Sequence, residues 1–232
     1  MTNVAFILGS GPRIGASVAK KFLREGYKVA IGKRNTNTPL ESGLEGALPV
    51  ELEVTSNESI AKAFAEVESK LGFPNVVIYN IAALTFPPEQ NNPFSVPPDS
   101  FGRDTTVNVV GGYAAIYAAI KGWEGLDASV PKVFIATGNV TPFYPNPFAT
   151  TLASGKSALV QLIRLGDQHF KSDKYKFYFA SQVTSEGHPV SWEGVKAAAH
   201  GDVYWDLVQD KNSDNWDVRF VVDDKDAVSY LK

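Results

Sequence analysis

The stretch that most constrains this chain is Val4-Ala5-Phe6-Ile7-Leu8. This apolar run passes straight into Gly9-Ser10-Gly11-Pro12-Arg13-Ile14-Gly15, and then into an amphipathic helical pattern that ends near Glu25-Gly26. A run with no polar alternation marks a strand buried on both faces, as in a parallel sheet covered by helices. Glycines let the turn after such a strand close tightly and bring its backbone against a ligand. The free N–H groups and dipole at the start of the next helix attract negative charge. Strand, glycine turn and helix in this order form the layout of a dinucleotide-binding unit, with Gly9, Gly11, Arg13, Ile14 and Gly15 around a pyrophosphate. The spacing departs from the common G-x-G-x-x-G form.

The next apolar run, Tyr27 to Gly32, reads as a second strand and ends in Lys33-Arg34. In a fold of this kind the end of that strand faces the adenosine ribose. An acidic residue there favours NAD, whereas two adjacent cations suit a 2′-phosphate, with Arg able to make bidentate contacts. NADP(H) is therefore the expected cofactor, and Arg13 is expected to add a further positive contact.

Further along, Val50 to Val54 reads as a short strand, Thr55-Ser56-Asn57-Glu58 opens a helix with capping residues, and Val76 to Tyr79 forms a fourth strand. Leu84 to Pro98 holds five prolines and has no period, the mark of a long loop. A helix is expected from Asp99 or Ser100 to about Trp123. A strand follows at Lys132–Ala136, then a helix entered through Leu152 to Lys156 and running to about Ser172. Lys176–Ala180 is the sixth strand, Ser191-Trp192-Glu193 opens a last helix to about Gln209, and Trp216–Val222 is the seventh strand. Regular alternation of strands and helices implies an α/β architecture: a Rossmann-like, doubly wound, parallel, seven-stranded sheet with helices on both faces, spanning residues 1–232 as a single domain.

Composition narrows the functional classes. The net charge of −3, with Lys33-Arg34 the one basic cluster, gives no reason to expect a nucleic-acid partner. With no cysteine and three scattered histidines, neither a thiolate nucleophile nor metal-ligand spacing is present. No apolar run is long enough to cross a bilayer, and a core strand at the very start leaves no room for a signal peptide, so a cytoplasmic protein with no membrane partner is expected.

With these landmarks in order, the chain resembles the short-chain dehydrogenase/reductase family along nearly its whole length. Gly9 to Gly15 matches that family's glycine motif, with Arg13 where a second glycine is usual. Glu53-Val54 sits where Asp-Val flanks the adenine, and Asn80-Ile81-Ala82 matches Asn-Ala-Gly after the fourth strand. Asn108 matches the helix asparagine of the catalytic tetrad, and Lys156 the lysine of Tyr-x-x-x-Lys. The resemblance implies that Glu53, Val54, Asn80, Ala82 and Lys156 contact the cofactor. It also implies that Asn108, Asn139 and Lys156 stand in the catalytic region, and that copies pair as a homodimer or homotetramer through the helices carrying Asn108 and Lys156.

Besides Arg13, Ala82 in place of the motif's glycine and Ser181-Gln182 in place of Pro-Gly after the sixth strand, two catalytic positions depart from the family. Leu152 stands where the catalytic tyrosine is expected and Asn139 where the serine is common. In this the chain looks like an atypical, fungal-type subgroup, some of whose members reduce iminium ions. Loss of the general acid typically forfeits about 10²- to 10⁴-fold in rate. Three readings stay open: reduction of an imine, iminium or activated carbonyl of a small metabolite without a tyrosine; protonation by another group (Tyr144, Thr151, Ser154 or Tyr178); or dinucleotide binding without turnover, as a sensor or partner.

Overall fold

The computed structural model describes residues 3–171, 175–211 and 215–231. Eight strands form one sheet: β1 (Val4–Leu8), β2 (Lys28–Lys33), β3 (Leu48–Glu51), β4 (Val76–Tyr79), β5 (Lys132–Thr137), β6 (Tyr175–Gln182), β7 (Asp217–Val222) and β8 (Val228–Leu231). Their order is β3-β2-β1-β4-β5-β6-β7-β8, parallel from β3 to β7. The chain winds outward from β1 to β3, returns to place β4 beside β1, and winds the other way. The point of reversal between β1 and β4 is where such sheets open a ligand crevice at their carboxyl ends.

The doubly wound α/β expectation therefore holds, with one correction: among the described residues the sheet has eight strands, not seven. The eighth pairs antiparallel to β7, with Arg219 opposite Leu231 and Val222 opposite Val228. No helix precedes it, so the strand–helix alternation that marks the others is missing. What builds it is a tight turn in which the Asp223 carboxylate accepts from the N–H groups of Lys225 and Ala227.

Both sheet faces are covered. Val4, Phe6 and Leu8 point into a core beneath α2 (Asn57–Leu71), α4 (Gly111–Trp123) and α5 (Thr150–His169). Ala5 and Ile7 point into the opposite core, beneath α1 (Ile14–Arg24) and α6 (Ala197–Val208). This division is the period-two direction of strand side chains, and it explains why β1 has no polar residue.

Helix boundaries differ from the expectation in instructive ways. The helix expected from Asp99 or Ser100 starts at Pro98 as α3 (Pro98–Thr105). A π-helical turn at Thr106–Val110 separates it from α4. Such turns recur at functional sites, and this one carries Asn108. The last helix begins at Ala197, not near Ser191. The Ser191 hydroxyl closes a local turn on the Gly194 N–H, and the Gln182 side chain takes both the Gly194 carbonyl and the Lys196 N–H, holding this segment out of the helix. At its amino end α5 begins at Thr150, so Leu152 lies in its first turn; Ser172, its expected far end, falls outside the described residues.

Candidate functional site

The glycine turn, the end of β2, the segment after β3 and the segment after β4 enclose a cleft of about 810 Å³. Two glycines are obligatory for its shape. Gly9 has φ of +90°, and a Cβ there would lie 2.6 Å from Ile81 Cγ1. A Cβ on Gly15 would lie 2.5 Å from the Gly9 carbonyl oxygen, so only glycine lets the first turn of α1 settle onto the loop. Gly11 is open above its Cα, which leaves backbone for a ligand to approach. Ile14 starts α1 and, half-buried, packs against the core beneath α1 and α6.

Asn80 fixes the floor. Its Nδ2 donates to the Gly9 carbonyl at 2.8 Å, and its Oδ1 accepts from the Thr137 hydroxyl at 2.8 Å, which itself accepts from the fully buried Tyr204 hydroxyl at 2.9 Å. This network joins the ends of β1, β4 and β5 to α6. The part played by Thr137 and Tyr204 has no signal in the sequence, since it depends on α6 crossing the opposite face. Ala82, Glu53 and Val54 line the cleft beside them. The Glu53 carboxylate accepts from the Thr55 hydroxyl at 2.7 Å and its N–H at 3.1 Å, which hold it below the usual carboxylate range.

The cations are distributed differently from the expectation. Lys33 lines the cleft, but its ammonium donates to the Thr38 and Pro39 carbonyls at 3.0 and 3.4 Å. Arg34 is exposed at the cleft edge. Arg103, from α3, also lines the cleft although sequence reasoning did not single it out. Its one sequence signal is its position five residues before Asn108, little more than a helical turn away. Arg13 does not face this edge. Its Nη2 donates to the carbonyls of Trp192 (2.7 Å) and Val195 (3.3 Å), and its guanidinium lies 4.2 Å from the Trp192 ring centre. The expected Arg13 contact to the 2′-phosphate is thus replaced by a tie between the glycine turn and the segment after β6.

The second group of residues lies over the ends of β4 and β5. Asn108 is buried, and its amide pairs reciprocally with the N–H and carbonyl of Ala83, both at 2.8 Å, which pins the chain leaving β4 to the π-helical turn. A Cβ on Gly155 would meet Asn108 Cβ at 2.4 Å, so α5 packs directly on that turn. Lys156 follows, buried, with Nζ donating to the Thr137 carbonyl at 2.7 Å. Burial brings its pKa down to about 8. Asn139 Oδ1 accepts from the Thr141 hydroxyl and N–H, and Nδ2 is the donor group of the same amide.

The four alternative proton donors separate clearly. Tyr178 is in the core beneath α1 and α6, away from these loops. Thr151 is fully buried and accepts from the Thr85 N–H at 3.1 Å. Ser154 is exposed on α5, and the Tyr144 ring stands edge-on to His188 at 5.2 Å. Among the described residues no three His, Cys, Asp or Glu side chains gather as a metal site, and no helix is long and apolar enough to cross a membrane.

Comparison with known proteins agrees with this fold. A family model described as enoyl-(acyl carrier protein) reductase matches residues 11–166. The short chain dehydrogenase/reductase dmxR12 of Cryptosporiopsis sp. (strain 8999) is 29% identical over 228 residues, covering 94% of this chain and 91% of that protein. Among solved structures, a short chain dehydrogenase from Mycobacterium avium superposes with a TM-score of 0.79 at 15% identity, over 99% of this chain and 84% of that one. An alcohol dehydrogenase from the archaeon Thermococcus sibiricus, complexed with 5-hydroxy-NADP, superposes with a TM-score of 0.75 at 17% identity, over 96% of each chain.

Proposed function

Because this chain belongs to the short-chain dehydrogenase/reductase family of oxidoreductases, we propose that it is an NADP(H)-dependent reductase with a non-standard active site, acting in the cytoplasm on a small-molecule imine, iminium or activated carbonyl. The observation that carries the nucleotide half is the cleft itself. Gly9 and Gly15 make a cradle that any Cβ would fill, Gly11 leaves backbone open, and Arg34 and Arg103 both line the cleft. Pyrophosphate fits against Gly11 and the start of α1. The two arginines suit a 2′-phosphate, Glu53 and Val54 flank the adenine, and Asn80 and Ala82 line the middle of the cleft. Lys33 reinforces its turn and adds charge rather than a direct contact.

The bound nicotinamide would supply hydride. The chain's own part is to orient and to exclude water. Lys156, at the end of β5, holds the nicotinamide ribose, and Asn108 sets the segment through Ala83 that borders it. The Asn139 Nδ2 donates to a substrate heteroatom. Leu152 offers no proton, so the site suits a substrate that becomes neutral on accepting hydride, as an iminium carbon does. The neighbour complexed with 5-hydroxy-NADP supports the choice of NADP. Copies would pair as a homodimer or homotetramer through α4 and α5, whose outer faces expose Tyr113, Tyr117 and Leu165.

Titration of tryptophan fluorescence with NADPH and NADH tests the reading. NADPH should bind more tightly, and Arg34→Ala with Arg103→Ala should remove about tenfold or more of that preference. Hydride transfer from 4-deuterated NADPH should reach a cyclic imine far faster than a simple ketone. Equal binding of both nucleotides would refute the cofactor assignment. Binding with no deuterium transfer to any acceptor would favour the alternative, a nucleotide sensor without turnover.

A further inference from the structure

Three loops leave the carboxyl ends of the adjacent strands β4, β5 and β6, and each exposes large apolar side chains. Residues 80–97 present Leu84, Phe86 and Phe94, residues 138–149 present Phe143 and Phe148, and residues 183–196 present Trp192. Phe94 is 89% exposed, Trp192 75% and Phe86 67%. Scattered apolar residues at a surface need no explanation, but aromatic side chains gathered on one edge mark a binding site.

The three loops are tied to the body, and the second is tied to the third. The Thr85 N–H donates to the Thr151 hydroxyl and the Thr150 hydroxyl donates to the Pro93 carbonyl, fastening the first loop to the start of α5. The Tyr144 and His188 rings, 5.2 Å apart, join the second loop to the third. Arg13 holds the third against the glycine turn through two carbonyls and the Trp192 ring. The exposed aromatic groups are therefore carried on braced segments beside the cleft.

Charge sorts the ligands that such a rim can take. Residues 138–149 contain no charged side chain, and the single one in 80–97 is the acidic Glu89. The cations on or against the second and third loops are engaged: Arg219 pairs with Asp217 at 2.9 Å and lies over Phe143, Lys196 pairs with Asp226 at 3.0 Å, and Arg13 is taken as above. A phosphopantetheine thioester, whether on coenzyme A or on an acidic carrier protein, needs free cations for its phosphates. A neutral, flat ring system needs aromatic faces.

From this we propose that the substrate is a fused-ring aromatic small molecule without anionic groups, seated on the rim formed by Phe86, Phe94, Phe148 and Trp192, and not a coenzyme A or carrier-protein thioester; an iminium form of such a ring system meets the same aromatic faces. It names the substrate class for the reductase reading and rests on the cleft being the nucleotide site.

The test is calorimetric titration of the whole protein, with and without saturating NADPH, using α-tetralone as the neutral aromatic probe and acetoacetyl-coenzyme A as the anionic one. The tetralone should bind in both conditions, and Trp192→Ala and Phe94→Ala should each weaken it about tenfold. Trp192→Phe should restore most of the loss. Both side chains are exposed, so their removal leaves the core intact. Thioester binding equal to or tighter than tetralone binding overturns the proposal. So does unchanged tetralone affinity in both alanine variants, and so does a variant that dissociates an oligomer while leaving the probe's affinity as it was, because the rim would then be a subunit contact. Failure of NADPH alone to bind refutes the reductase reading, while the rim is still judged from the titration without nucleotide.

Discussion

Lys156 gives the sharpest test of how the site is built. Its ammonium sits among the ends of β5 and α5, and burial lowers its pKa from 10.5 to about 8. A base whose folded pKa is depressed is held at a disadvantage while it stays charged. Between the two pKa values the unfolded chain binds the proton and the folded chain does not, so stability rises with pH across that window, and it falls as pH drops through the folded value. Going from about pH 7 to about pH 9.5, this one group should add about 2 kcal/mol to the unfolding free energy, which for a chain of this size is a shift of roughly 4–8 °C. Lys156→Met removes the titration. It also removes the hydrogen bond to the Thr137 carbonyl, worth about 1–3 kcal/mol with the group left behind, so the sign of its effect at neutral pH is set by two comparable quantities. The pH-dependent difference between the two proteins is not affected by that offset. Urea unfolding of both proteins at several pH values isolates it, because every other titrating group cancels in the difference. Parallel pH curves would refute the reasoning and mean that the ammonium is solvated in the folded state.

Two further outcomes follow from other residues. Burial lowers His200 from 6.5 to about 4, with Nδ1 at 2.9 Å from the Lys196 carbonyl, where only a protonated Nδ1 can donate; its stabilising neutrality is lost as pH falls from about 6.5 through 4, and His200→Gln should flatten about 3 kcal/mol of that acid-side loss, read by unfolding at several pH values. Gly15→Ala places a Cβ 2.5 Å from the Gly9 oxygen, so it should cost about 1–3 kcal/mol in thermal unfolding and weaken nucleotide binding as α1 is pushed off the turn.

The residues that could be read directly were those whose role is local. Gly9, Gly15, Asn80 and Glu53 all fall in or around one cleft, because backbone shape and strand order brought them there. Arg13 and Lys33 were assigned by charge and neighbourhood, and each took a different partner. Arg13 reached Trp192, 179 residues away, and Lys33 folded back on the carbonyls of its own loop. Arg103 was overlooked because an arginine in the last turn of a short helix carries no mark of facing the cleft until α3 is packed against α5 and the π-helical turn.

Sequence alone determined the alternation of buried strands and helices, the handful of positions where only glycine fits, and the absence of a phenol one turn before Lys156. These are properties of short stretches, in which side-chain size, apolar period and backbone freedom act over a few residues. Tertiary structure decided which cations face the cleft, that Asn108 pins Ala83 from within a π-helical turn, that an eighth strand ends the sheet, and that three loops carrying exposed aromatic side chains are fastened to the body. Those outcomes depend on contacts between residues far apart in the chain, where geometry selects among partners that composition leaves equivalent.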